Sequence, residues 1–91
     1  MTKSIISNEK RCFICGSERF LDRHHCIFGR AERSKAESDG LWVYLCSRHH
    51  MAVHQEAQGY KKMLQKLAQE RWQQTYGTKE DFIKRYGRSY L

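Results

Sequence analysis

The residues able to do metal chemistry in this chain lie in one stretch, from Cys12 to His54, which holds all four cysteines and all five histidines. They form three groups. The first is Cys12-Phe13-Ile14-Cys15, the second is Asp22-Arg23-His24-His25-Cys26, and the third is Cys46-Ser47-Arg48-His49-His50 with His54 four residues on. Cys12 and Cys15 share a C-x-x-C turn that Gly16 follows, and Cys46 with His49 repeats the same spacing. Two thiolates on one tight turn can grip a tetrahedral ion, and a second pair closes its shell. Two such pairs separated by a hairpin point to a structural zinc on Cys12, Cys15, Cys46 and His49. His50, adjacent to His49, competes for the fourth position. Cys26 is left over and is expected to pack as a small apolar residue. Four histidines remain: His24, His25, His50 and His54. Spare histidines are usually satisfied core residues or solvated rings, but here one strand supplies two and one helix face supplies two more.

Those placements follow from the surrounding pattern. Phe20 to Phe28 has strand-like apolar content and ends at Gly29, while Leu41-Trp42-Val43-Tyr44-Leu45 is a β-branched and aromatic run of strand length. The two are expected to pair antiparallel. Between them, Arg30, Glu32, Arg33, Lys35, Glu37 and Asp39 suggest a solvated loop, with room for a short helical turn, that closes on the turn dipeptide Asp39-Gly40. A helix starting from Ser47 as N-cap puts His50 and His54 on one face. After Gly59, the apolar positions Tyr60, Met63, Leu64, Leu67, Ala68 and Trp72 recur at helical spacing, with Gln69 on the polar side, up to Gly77. Thr78 to Asp81 reads as a capping box for a last short helix. Residues 1–10 read as a loosely attached polar arm.

The composition bounds the rest. Ninety-one residues make a single small domain, whose core is thin enough to need extra fastening. No apolar run is long enough to span a bilayer and the N-terminus lacks a secretion signal, so the expected compartment is the cytoplasm, with no membrane partner. Thiols stay reduced there, which favours metal ligation over disulfides. The net charge of +7 and pI near 9.5 point to a phosphate backbone, with simple solubility as the plain alternative.

Taken together, the strand-loop-strand-helix order, His24-His25 on the first strand and His50-x-x-x-His54 on the helix resemble the HNH endonucleases, the ββα-metal or His-Me finger nucleases. The paired cysteines resemble their zinc-stapled phage and bacterial versions, although Cys46-x-x-His49 stands where Cys-x-x-Cys is commoner. The resemblance covers residues 12–54 and leaves a C-terminal helical extension, 57–91, outside it. It implies an α+β fold: a ββα-metal finger with a zinc knuckle and C-terminal helices. It also implies hydrolysis of DNA phosphodiester bonds, with RNA as a further substrate and a protein partner in phage DNA metabolism or recombination. Residue by residue, it makes His25 the general base and gives His24, His50 and His54 a catalytic divalent cation (Mg2+, Mn2+, Ni2+, Co2+ or Zn2+). An unprotonated imidazole suits the base role at neutral pH, and three imidazoles favour a borderline metal over magnesium. Arg23, Arg30, Arg33 and Arg48 are the candidate phosphate contacts. The family's middle Asn has no counterpart, and Leu41 stands near its place. The alternative is a non-catalytic, zinc-finger-like module that binds nucleic acid or acts as an adaptor.

Overall fold

The computed structural model describes residues 3–29, 31–55 and 57–91. Its element order is β1 (Leu21–His25), α1 (Glu32–Asp39), β2 (Trp42–Cys46), α2 (Ser47–His54), a 3-10 turn (Ala57–Gly59), α3 (Tyr60–Thr75) and α4 (Lys79–Tyr86). This is a small α+β fold around one two-stranded antiparallel sheet, in register from Leu21 opposite Cys46 to His25 opposite Trp42.

Strand pleating separates the chemistry. Neighbouring side chains on a strand point to opposite faces, so Asp22 and His24 turn toward α2. Arg23 and His25 turn the other way, toward Glu37 of α1. On β2, Val43 and Leu45 are fully buried. They join Val53, Leu64, Ala68 and Phe82 in a core that also includes Cys12 and Cys46. The zinc-type turn is thus built into the core.

The segment expected as a loop with room for a short helical turn is a regular helix of eight residues. Glu32 to Asp39 contains good helix formers, and Gly40 ends α1 in the left-handed conformation (φ 77°). A Cβ at Gly40 would collide with the Lys3 carbonyl, because the N-terminal segment crosses there. That segment is docked, contrary to the expected loose arm. Ile5 N donates to Gly40 O at 2.9 Å, the Ser4 hydroxyl donates to Trp42 O at 2.5 Å, and Ile6 is buried. The Ser4 hydroxyl also accepts from the Ile6 and Ser7 amides, so a short polar stretch satisfies itself while covering the sheet.

Asp39, read in sequence as half of a turn, is a buried hub. Its carboxylate accepts from Trp72 Nε1 at 2.8 Å and from Tyr86 OH at 2.7 Å, and it receives a two-pronged Arg85 contact at 2.5 and 2.9 Å. The Tyr76 hydroxyl donates to its carbonyl. One side chain therefore clamps α1 against α3 and α4. Gln69, placed by sequence on the polar face of α3, is instead fully buried. Its amide accepts from Tyr90 N at 2.6 Å and donates to Ser89, which ties down the C-terminal tail. Met63, expected on the apolar face, is exposed. Cys46 rather than Ser47 is the N-cap of α2. The capping box of α4 forms as expected, with Thr78 and Asp81 bonding reciprocally.

Candidate metal centres and catalytic cavity

Cys12, Cys15, Cys46 and His49 converge, with one ligand atom from each lying within 4.8 Å of the others. Cys15 Sγ lies 3.8 Å from Cys46 Sγ, and His49 Nδ1 lies 3.3 and 3.7 Å from the sulfurs of Cys46 and Cys12. A tetrahedral zinc with ~2.3 Å Zn–S and ~2.05 Å Zn–N bonds needs edges of about 3.8 Å between sulfurs and about 3.6 Å from sulfur to nitrogen. The cluster matches those edges, so it could hold an ion such as zinc. His49 fills the fourth position and His50 faces elsewhere. The electrostatics agree with a cation site. Burial opposes a Cys12 thiolate, but backbone N–H groups of Cys46, Cys15 and Ile14 outweigh it and bring Cys12 down to about 6. Ser17 N–H favours a Cys15 thiolate, yet burial and the neighbouring thiols push Cys15 up, the mutual repulsion that a dication relieves. All four cysteines are free, and burial raises Cys26 to about 12 as an apolar core residue.

The second convergence is His24, His50 and His54, whose ring nitrogens also lie within 4.8 Å of one another. His50 Nε2 and His54 Nε2 are 3.2 Å apart, within the ~3.0–3.4 Å spacing of cis ligands about 2.1 Å from one ion. His24 is 2% exposed and its Nε2 has no hydrogen-bond partner. Burial, then the rings of His50, His54 and His25, lower His24 to about 3, so it presents a free lone pair. A buried ring nitrogen with no hydrogen-bond partner, on a ring kept neutral and with two imidazoles beside it, fits a metal ligand. Asp22, exposed at the strand edge, stands 3.4 Å from His50 Nδ1. That position can hold the proton on Nδ1 and leave Nε2 free toward the cluster.

These three rings and His25 share one cavity of about 310 Å³, with Arg23 and Arg33 also on its wall. His25 is nearly buried, and its Nε2 faces Glu37 Oε2 at 3.4 Å without hydrogen-bond alignment. Burial lowers its pKa below the ordinary imidazole value, Arg33 and Arg23 push the same way, and Glu37 opposes them. Among the candidate phosphate contacts, Arg33 lines the cavity. Arg23 does too, but its guanidinium is already engaged, 2.6 Å from Glu37 and 3.9 Å over the Trp42 ring. Arg48 lines a different cavity beside Cys15 and His49, and Arg30 lies outside the described residues. Leu41 is fully buried core. Glu37 was not anticipated, because nothing in sequence says which charge of a polar segment will face the strand. No helix among the described residues is long and apolar enough to cross a membrane.

Comparison with protein-family models, curated proteins and solved structures finds no match to this chain.

Proposed function

We propose that this chain is a metal-dependent endonuclease of the HNH type, a ββα-metal finger that hydrolyses DNA phosphodiester bonds. The observation that carries this reading is one cavity in which three imidazole nitrogens converge while a fourth histidine, His25, stands beside them outside the cluster. A purely structural site would use every ligand and leave no basic side chain over. An open site beside a free base is what metal-assisted hydrolysis needs.

His24, His50 and His54 would hold the divalent cation, and Cys12, Cys15, Cys46 and His49 the structural zinc. When bound, the catalytic cation supplies Lewis-acid stabilisation of charge on the phosphoryl and departing 3′ oxygens. The protein does the rest. His25, unprotonated at neutral pH, accepts a proton from the water that attacks phosphorus in line. Arg33 holds the substrate phosphate against the cavity mouth, where its charge adds to the chain's net +7. Neighbouring strand residues point to opposite faces, which suits His24 and His25 to the separate roles of ligand and base.

The test is plasmid relaxation. Protein stripped of exchangeable metal is incubated with supercoiled DNA while Mg2+, Mn2+, Co2+, Ni2+ and Zn2+ are added one at a time. Nicked or linear product should appear only with a divalent ion. Binding that weakens steeply with salt, with no cleavage in any ion, would overturn the proposal and leave a nucleic-acid-binding module.

A further inference from the structure

We propose that Glu37 of α1 is a positioning residue for His25, fixing its ring with the proton on Nε2 and the free lone pair on Nδ1. This rests on the nuclease reading above and adds to it the residue that sets the base. Three observations carry it. Glu37 Oε2 and His25 Nε2 are both buried, both without a hydrogen-bond partner, and 3.4 Å apart. Glu37 cannot turn away, because Arg23 grips its other oxygen at 2.6 Å and is itself stacked on Trp42. His25 lines two cavities, one shared with Glu37 and one with His24, His50 and His54.

The chemistry follows from the inventory of donors. A carboxylate is acceptor-only, so the nitrogen that faces it must carry the proton. With Nε2–H committed to Glu37, Nδ1 is the only atom of the ring that can accept a proton from water. When it does, a water O–H bond breaks, Nδ1–H forms, and the imidazolium charge lies beside the carboxylate. Buried unpaired polar atoms are costly, and closure of this contact when substrate fills the cavity removes two of them at once. Arg23 accordingly acts inside the protein, through Glu37, rather than on the substrate.

Glu37→Gln separates shape from proton placement. Arg23 will take the amide oxygen, which turns the amide N–H toward His25 Nε2 and forces the proton onto Nδ1. Two readouts on the full-length, zinc-loaded protein decide the matter. Long-range proton–nitrogen NMR at pH 8 should show a protonated Nε2 and bare Nδ1 on His25 in the wild type, and the reverse or a mixture in Glu37→Gln. Cleavage kinetics should show kcat falling about 10²-fold or more in the variant, the scale of general-base catalysis, with KM within about threefold. A wild-type His25 protonated on Nδ1 overturns the proposal, as does a variant with wild-type tautomer and kcat. If the wild type does not cleave DNA at all, the nuclease reading fails, and the NMR measurement still decides whether Glu37 sets the ring.

Discussion

Replacing Asp39 by Ala removes one carboxylate and strands four donors. Trp72 Nε1 and Tyr86 OH lose partners at 2.8 and 2.7 Å, on side chains that are 6% and 3% exposed. Each buried donor left without an acceptor costs ~1–3 kcal/mol. Arg85 loses both prongs of its contact, but its side chain is 37% exposed and water can take over. That part is worth ~0–1 kcal/mol. The sum is ~2–7 kcal/mol, centred near ~4, against a total stability of roughly 5–14 kcal/mol for a domain of this length. The midpoint of thermal unfolding should fall by ~15–30 °C at the usual few degrees per kcal/mol. Asp39→Asn keeps the shape and one acceptor, so it should lose about half as much. Urea titration followed by Trp fluorescence, backed by thermal scans, gives both numbers. A loss under ~1 kcal/mol for the Ala variant would show that the hub does not clamp α1 to α3 and α4.

Three further outcomes follow. Cys46→Ser, or prolonged chelation, should unfold the chain in one transition, because Cys12 and Cys46 belong to the same core cluster as Phe82 and structural zinc contributes ~10–16 kcal/mol to small folds; circular dichroism unchanged after verified zinc loss would contradict this. Asp22→Ala should weaken binding of the exchangeable divalent ion about tenfold by calorimetry, the low end for an outer-sphere carboxylate because Asp22 is largely exposed; an unchanged affinity would show that Asp22 does not set the His50 ring. Burial, aided by Asp39, raises the Tyr86 pKa above its usual value of 10. A phenol held protonated in the folded state contributes stability that is fully present below pH 10 and is lost as pH rises beyond it, when the unfolded chain ionises first. Tyr86→Phe should therefore flatten the alkaline limb of a stability–pH curve, and an equally steep fall in the variant would refute the assignment.

Much of the site was legible because its spacing is local. C-x-x-C, C-x-x-H and H-x-x-x-H each fix two ligands on one turn or helix face, so two hairpin strands suffice to bring the sets together. The antiparallel pairing, the long helix and the capping box were likewise written in short-range pattern. What sequence hid was polar and long-range. Glu37, Asp39 and Gln69 look like surface residues in any window of the chain. Asp39 and Gln69 become buried, and Glu37 turns one oxygen inward, only because a partner more than ten residues away, Trp72, Tyr90 or His25, supplies a hydrogen bond or charge. Charge density argued for a loop at 32–39, yet the same residues are good helix formers once Gly40 ends the helix and the N-terminal segment packs across it. The docking of the N-terminal segment is hidden in the same way. Its anchor is a serine hydroxyl, a residue type that usually signals solvent.

The central claim is that a histidine outside the metal cluster does the chemistry. Its most direct test is the first-order cleavage rate of His25→Ala against wild type at saturating Mn2+, with zinc content and DNA affinity measured on the same preparations. The account predicts a fall of ~10²–10⁴-fold with both controls unchanged. A variant that cuts within a few-fold of wild type would contradict it.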